Sequence, residues 1–171
     1  MEEVESYESF PFWIVLLSGL VSLSIYAVGA FILSRLGTVY LILYLLYCLG
    51  IEIWILRSSC AHCYYYGKVC GLGKGKLCSL LFPKGDPRKF IQREASWTAL
   101  LPDLMVFIFP IAGGIFLLIT DFSWLMAAML AILVVLVSVG NAVIRGSLAC
   151  KYCKQRELGC PAEKMFGEAT G

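Results

Sequence analysis

"PFWIVLLSGLVSLSIYAVGAFILSRLGTVYLILYLLYCLGIEIWILRSSC", Pro11–Cys60, holds two apolar runs, Pro11–Ser34 and Thr38–Leu56, separated only by Arg35, Leu36 and Gly37. A helix needs about 20 residues to cross a hydrocarbon core, and each run meets that length. A gap this short admits one arrangement, a helical hairpin. The chain therefore returns to the side it left, and it does so carrying a cysteine, Cys60.

Two further runs follow at Leu104–Thr120 and Phe122–Ile144. The third run is slightly short and contains Pro110, Gly113 and Gly114, so a kink is expected where proline removes an intrahelical hydrogen bond. Neighbouring helices can satisfy the carbonyl it frees. The chain has 171 residues, 60% of them hydrophobic and only 15% charged. Soluble domains are about half apolar. The reading is an all-α integral membrane protein with four transmembrane helices, forming a single membrane domain over 1–171. The opening "MEEVESYE" is acidic where a signal peptide has a basic stretch, so the first run is expected to stay as a membrane helix.

Charge sets the expected orientation. Of 14 Lys and Arg, eight lie between Arg57 and Leu100 and five from Arg145 onward; only Arg35 falls between the first two runs. Thirteen thus share one side, which the positive-inside rule assigns to the cytoplasm. Both termini and every cysteine except Cys48 are expected there, in a multi-pass protein of the plasma membrane. Cys48 sits inside the second helix and reads as a small apolar side chain.

Shifting the sequence by ninety positions superposes "CAHCYYYGKVC" on "CKYCKQRELGC". Cys60, Cys63 and Cys70 fall on Cys150, Cys153 and Cys160, and Gly50 falls on Gly140. Pro11 comes within one position of Pro102. The repeat units are residues 11–70 and 101–160, joined by an interfacial linker over 71–100. Each unit is a hairpin leaving the membrane into C-x2-C-x6-C, so the two have parallel topology about an axis along the membrane normal. Gly50 and Gly140 are expected at equivalent depths, letting neighbouring helices approach closely.

Clustered cysteines read as disulfides in an oxidising compartment and as metal ligands or redox thiols in the cytosol. The charge asymmetry selects the second group. C-x2-C lets two thiolates grip one ion from a tight turn, and soft thiolates select zinc or an iron–sulfur cluster. The candidate ligands are Cys60, Cys63, Cys70, Cys78, Cys150, Cys153 and Cys160. Lys68, Lys74 and Lys76 near one triplet, with Lys151, Lys154 and Arg156 near the other, are expected to lower the thiol pKa values.

Three wirings stay open. Cys60, Cys63, Cys150 and Cys153 form one zinc site, or each triplet holds its own centre with Cys78 as fourth ligand of the first, or the triplets hold iron–sulfur clusters. Pro161 after Cys160 favours the last; the absence of a ferredoxin spacing puts zinc ahead. His62, inside the first C-x2-C, reads as a surface or packing residue.

Other features have simpler readings. "GKVCGLGKGKLC" lacks the G-x4-G-K-[ST] pattern of a phosphate loop, and its glycines suit tight turns while Lys74 and Lys76 meet lipid headgroups. "GDPRKFIQREASW" reads as a short helix on the membrane, with Asp86 as N-cap and Pro87 at its first position. Phe90, Ile91 and Trp97 would enter the interface, with Arg88, Lys89 and Arg93 in the headgroups. Glu52, one turn from Arg57, is close enough to the helix end to reach the interface, as are Asn141 and Arg145. No mid-membrane carboxylate pair is evident, which disfavours an ion pump. Tyr40, Tyr44 and Tyr47 share a face of the second helix and read as packing.

The function these observations imply is a membrane-embedded zinc-binding protein whose cytosolic cysteine cap is structural or a docking centre. The partners are the lipid bilayer and a cytosolic protein docking on the basic cysteine-rich face, with no nucleic acid. A redox protein using iron–sulfur clusters or thiols is the alternative, and metal transport or sensing the weaker one.

Overall fold

The computed structural model describes residues 6–91 and 97–160 and is all-helical, with no strand among the described residues. The first hairpin consists of α1 (Phe12–Leu36) and α2 (Thr38–Ser58). Between them stands Gly37 at φ 143°, a conformation that side-chain-bearing residues avoid. The linker contributes α3 (Lys74–Leu81) and α4 (Pro87–Ile91). The second hairpin opens with α5 (Trp97–Thr120). It returns through α6 (Trp124–Val135), which continues as wider π-helical turns over Leu136–Gly140 and Ala142–Cys150. A last short helix, α7 (Lys154–Glu157), follows the second C-x2-C.

Four helical spans are long and apolar enough to cross a membrane: Phe12–Leu36, Thr38–His62, Leu100–Thr120 and Trp124–Cys150. At 1.5 Å per residue, the 25 residues of α1 reach about 37 Å, beyond the roughly 30 Å of a hydrocarbon core. Their outward faces carry Leu23, Val39, Leu46, Ile119 and Trp124, all exposed. The inward faces are equally apolar, so no hydrophobic gradient separates core from surface. That pattern belongs to helices whose surroundings are as apolar as their interior.

Helices α1 and α5 form the central pair: they pack on each other, and each also packs against α2 and α6. Small residues permit the close approach. A Cβ at Gly29 would strike the Tyr44 hydroxyl and come within 2.9 Å of the Pro110 ring, so only glycine fits there. Gly113 and Gly114 of α5 likewise lie against Leu36 and Leu130.

The glycines matched by the ninety-residue shift do different work. Gly140 lies against Val21 of α1, with a Cβ there 3.1 Å from its Cγ1, whereas Gly50 faces open space. Pro102 and Pro110 both sit within α5, and Tyr47 Oη donates to the Pro102 carbonyl at 2.8 Å. In the return helix, Ser138 Oγ and Asn141 Nδ2 both take carbonyls four residues back, at 2.7 and 3.1 Å. Side chains that compete for the backbone ladder accompany such widened turns. The fourth helix runs to Cys150, six residues past the expected Ile144.

Asp86 caps α4 as the sequence implies, its Oδ1 accepting from Arg88 N at 2.9 Å. Ile91 packs on Gly159, next to the second triplet. Residues 92–96 of the expected interfacial helix, Arg93 among them, lie outside the described residues, as does Pro161.

Candidate metal centre

Both C-x2-C motifs form the same turn. Cys63 N donates to the Cys60 carbonyl at 3.3 Å, and Cys153 N to the Cys150 carbonyl at 3.3 Å. A second turn follows in each copy, from Tyr66 N to the Cys63 carbonyl at 3.1 Å and from Arg156 N to the Cys153 carbonyl at 3.0 Å. Matched spacing has thus produced matched local backbone. The launch points differ, because Cys150 is still helical whereas Cys60 starts a separate 3₁₀ turn beyond α2.

The two arms meet around a small apolar core of Phe10, Ile14 and Tyr65, with Cys63, Cys70, Tyr152 and Cys153 packed on it. Tyr65 is 2% exposed, and its hydroxyl joins three segments. It accepts from Lys154 N at 2.9 Å and donates to the Tyr7 carbonyl at 2.6 Å. Gln155, 4% exposed, completes the join: its Oε1 accepts from Tyr64 N at 2.8 Å, and its Nε2 donates to the Gly159 carbonyl at 3.3 Å.

The segment before α1 lies across both arms. Tyr7 N donates to the Tyr152 carbonyl at 3.0 Å, and Phe10 N to the Val69 carbonyl at 3.0 Å. Glu8 accepts from Tyr64 Oη at 2.5 Å and pairs with Lys68 at 3.3 Å and with Lys154. Lys154 foremost, then the Tyr64 hydroxyl and Lys68, hold the Glu8 carboxyl down to about 2.

The seven cap thiols fall into two neighbourhoods that share Cys63. Cys60 lies within electrostatic reach of Cys63, Cys70 and Cys78. Cys153 has Cys63, Cys150 and Cys160 as its thiol neighbours, and Cys160 is also near Cys150. Cys63 belongs to both groups, with Cys70 on one side and Cys160 on the other. Cys78 is fully buried beside Leu56 and Ala61, and its thiol donates to the Leu56 carbonyl at 3.3 Å. Cys48 stands apart, buried in the bundle against Tyr44 and Ile51. Among the described residues, no three His, Cys, Asp or Glu side chains are gathered closely enough to hold a metal ion in this arrangement.

The electrostatics overturn the expectation of activated thiols. Burial pushes the Cys153 thiol up to about 12 and moves Cys63 and Cys78 upward as well. The basic residues do not offset this, because several are directed elsewhere. Lys68 and Lys154 pair with Glu8, Lys74 pairs with Glu52, and Lys76 and Lys151 are exposed. A metal ion would reverse the balance, since coordination deprotonates a thiol outright. By donor type and number the cap suits a soft cation.

His62 packs against Gly85, its Nε2 2.5 Å from where a Cβ there would stand, and its Nδ1 is buried without a hydrogen-bond partner among the described residues. Glu8, Tyr65 and Gln155 were not singled out by sequence. Glu8 belongs to an acidic stretch in a chain whose cysteine arms are basic, the one sequence signal that could have linked them. No protein-family model, no curated protein and no solved structure matches this chain.

Proposed function

We propose that the protein is a membrane-embedded metal-binding protein in which two parallel hairpins carry a cytosolic zinc cap. The observation that carries this reading is the position of Cys63 between the two thiol groups. Zinc in structural sites takes four ligands. Cys60, Cys70 and Cys78 need a fourth donor, and so do Cys150, Cys153 and Cys160. Cys63 supplies it to both, so that about two tetrahedral ions are held by seven thiolates with one shared. The matched turns support the hairpin repeat. The thirteen basic residues from Arg57 in the last turn of α2 onward, and the segment Tyr7–Phe10 lying on the same cap as both arms, support placing that end in the cytoplasm.

A structural and docking role fits this electrostatics better than thiol redox chemistry. The thiolate is the reactive form, and burial opposes it here. Lys76, Lys84, Arg88, Lys89 and Lys151 are exposed at this end and offer a basic face to anionic lipid or an acidic cytosolic protein.

Metal analysis and an absorption spectrum of anaerobically purified protein test the reading. The expected result is colourless protein with about two zinc ions per chain. Cys63→Ser should lower both sites together, while Cys160→Ser should empty one. A single zinc retained after Cys70→Ser and Cys160→Ser would establish the one-centre wiring through Cys60, Cys63, Cys150 and Cys153. Brown protein with broad visible absorption would establish the iron–sulfur alternative. Replacing all seven cysteines with metal content unchanged would end the metal reading.

A further inference from the structure

Beside the cap, α3 carries an apolar face that the described residues leave uncovered. Its other side is packed. Cys78 is fully buried and donates its thiol to the Leu56 carbonyl at 3.3 Å, and a Cβ at Gly75 would strike the Tyr65 carbonyl. Leu77, Leu80 and Leu81, at helical spacings of three and four, share the outward side. All three are exposed, Leu80 at 82%. These leucines lie outside the four membrane-length spans. Contiguous exposed apolar surface marks contact with a membrane or with another protein.

Two bonds fix the height of α3 and decide between those partners. The Lys74 ammonium meets Glu52 Oε2 at 2.6 Å, while Glu52, turned inward, accepts from Tyr26 Oη at 2.5 Å. Cys78 is tied to Leu56, one turn further along α2. At about 1.5 Å per residue, Glu52 lies roughly 9 Å inside the Ser58 end of α2. Helix α3 therefore stands beside the last turns of a span and not above them. Ile53 and Trp54, in the same turn of α2, are exposed as well. A protein would have to enter the bilayer boundary to reach this face, where lipid already is.

Charge names the headgroup. Between Gly71 and Ile91 the only acidic residue is Asp86, whose Oδ1 accepts from Arg88 N. Lys76, Lys84, Arg88 and Lys89 of the same stretch are exposed. We infer that α3 is a lipid-docking helix, its Leu77, Leu80 and Leu81 entering one leaflet while Lys76, Lys84, Arg88 and Lys89 bind the headgroups of anionic phospholipid. The inference rests on the membrane-embedded half of the proposed function and is independent of the metal.

Photocrosslinking of the full chain in nanodiscs of equal phosphatidylcholine and phosphatidylglycerol tests it. A benzophenone amino acid replaces Leu80 or, as the reference within a span, Leu46, and the lipid adducts are identified by mass. Both side chains are exposed, so neither replacement disturbs packing. Both positions should give lipid adducts, with phosphatidylglycerol severalfold enriched at Leu80 relative to Leu46. The combined variant Lys76→Gln, Lys84→Gln, Arg88→Gln and Lys89→Gln should keep the adducts at Leu80 and remove the enrichment. Equal lipid ratios at the two positions overturn the anionic assignment. Adducts at Leu46 without any at Leu80, or crosslinks from Leu80 to a second copy of the chain, overturn the docking helix and leave the membrane reading standing. Lipid adducts at neither position overturn both.

Discussion

The Tyr65 hydroxyl accepts from the Lys154 N–H and donates to the Tyr7 carbonyl, so one oxygen ties the chain start to both cysteine arms. Tyr65→Phe leaves one donor and one acceptor of the backbone unsatisfied next to a buried ring. Such groups cost about 1–3 kcal/mol each when desolvated. The variant should therefore melt at lower temperature and expose Cys153 to maleimide, while Tyr66→Phe, which loses only a bond to the Phe82 carbonyl, should change Cys153 little. Equal labelling of Cys153 in the two variants would show that Tyr65 is not the join. The C-x2-C turns were legible in sequence because they are local, closed by bonds three residues long. Tyr65, Gln155 and Glu8 were not, because their partners lie as far as 146 positions away. The lysines misled for the same reason: proximity in sequence placed them beside thiols, while in space Lys68, Lys74 and Lys154 pair with carboxylates.

At the scale of elements, the four apolar helices could be read from composition, since a bilayer demands length and apolarity and little else. Their details could not. Periodicity is uninformative when a helix is apolar on every face, so neither the inward turn of Glu52 nor the central pairing of α1 with α5 was visible. In the fourth helix Ser138 and Asn141 take carbonyls four residues back where the turns widen, and spacing does not reveal those bonds. The segment before α1 is the element with a distinct electrostatic signature. Its Glu8 carboxyl is held at about 2 against an ordinary 4.5. A depressed carboxylate stabilises the folded form fully above its unfolded pKa, and the contribution fades as pH falls through the folded one. Wild type should thus exceed Glu8→Gln in melting temperature by a constant margin from neutrality down to about pH 5, and the margin should close below it. Added salt should narrow it at any pH, because Glu8 is exposed. A margin that widens on acidification would assign the shift to other groups.

For the whole molecule, the question is what holds two hairpins together where lipid is as apolar as leucine. Close approach at Gly29, Gly113 and Gly114 supplies packing within the bundle. The cap supplies the rest from one end, and a metal there would add to it strongly, structural zinc being worth on the order of 10 kcal/mol in small peptides. This arrangement requires the chain start, both cysteine arms and the basic surface to lie on the same side of the membrane. The contacts of Tyr7 with Tyr152 and of Glu8 with Lys68 and Lys154 meet that requirement, because a span cannot separate groups that are bonded. In the proposed orientation, which follows the positive-inside rule, this side faces the cytoplasm. An impermeant maleimide applied to intact cells should leave Cys150 unmodified, and a tag placed after Gly171 should be reached only after permeabilisation. The tag matters because a metal-bound thiol would also resist labelling. A tag accessible from outside would invert the orientation, move the cysteines to an oxidising compartment, and make disulfides between the arms the better account of the cap.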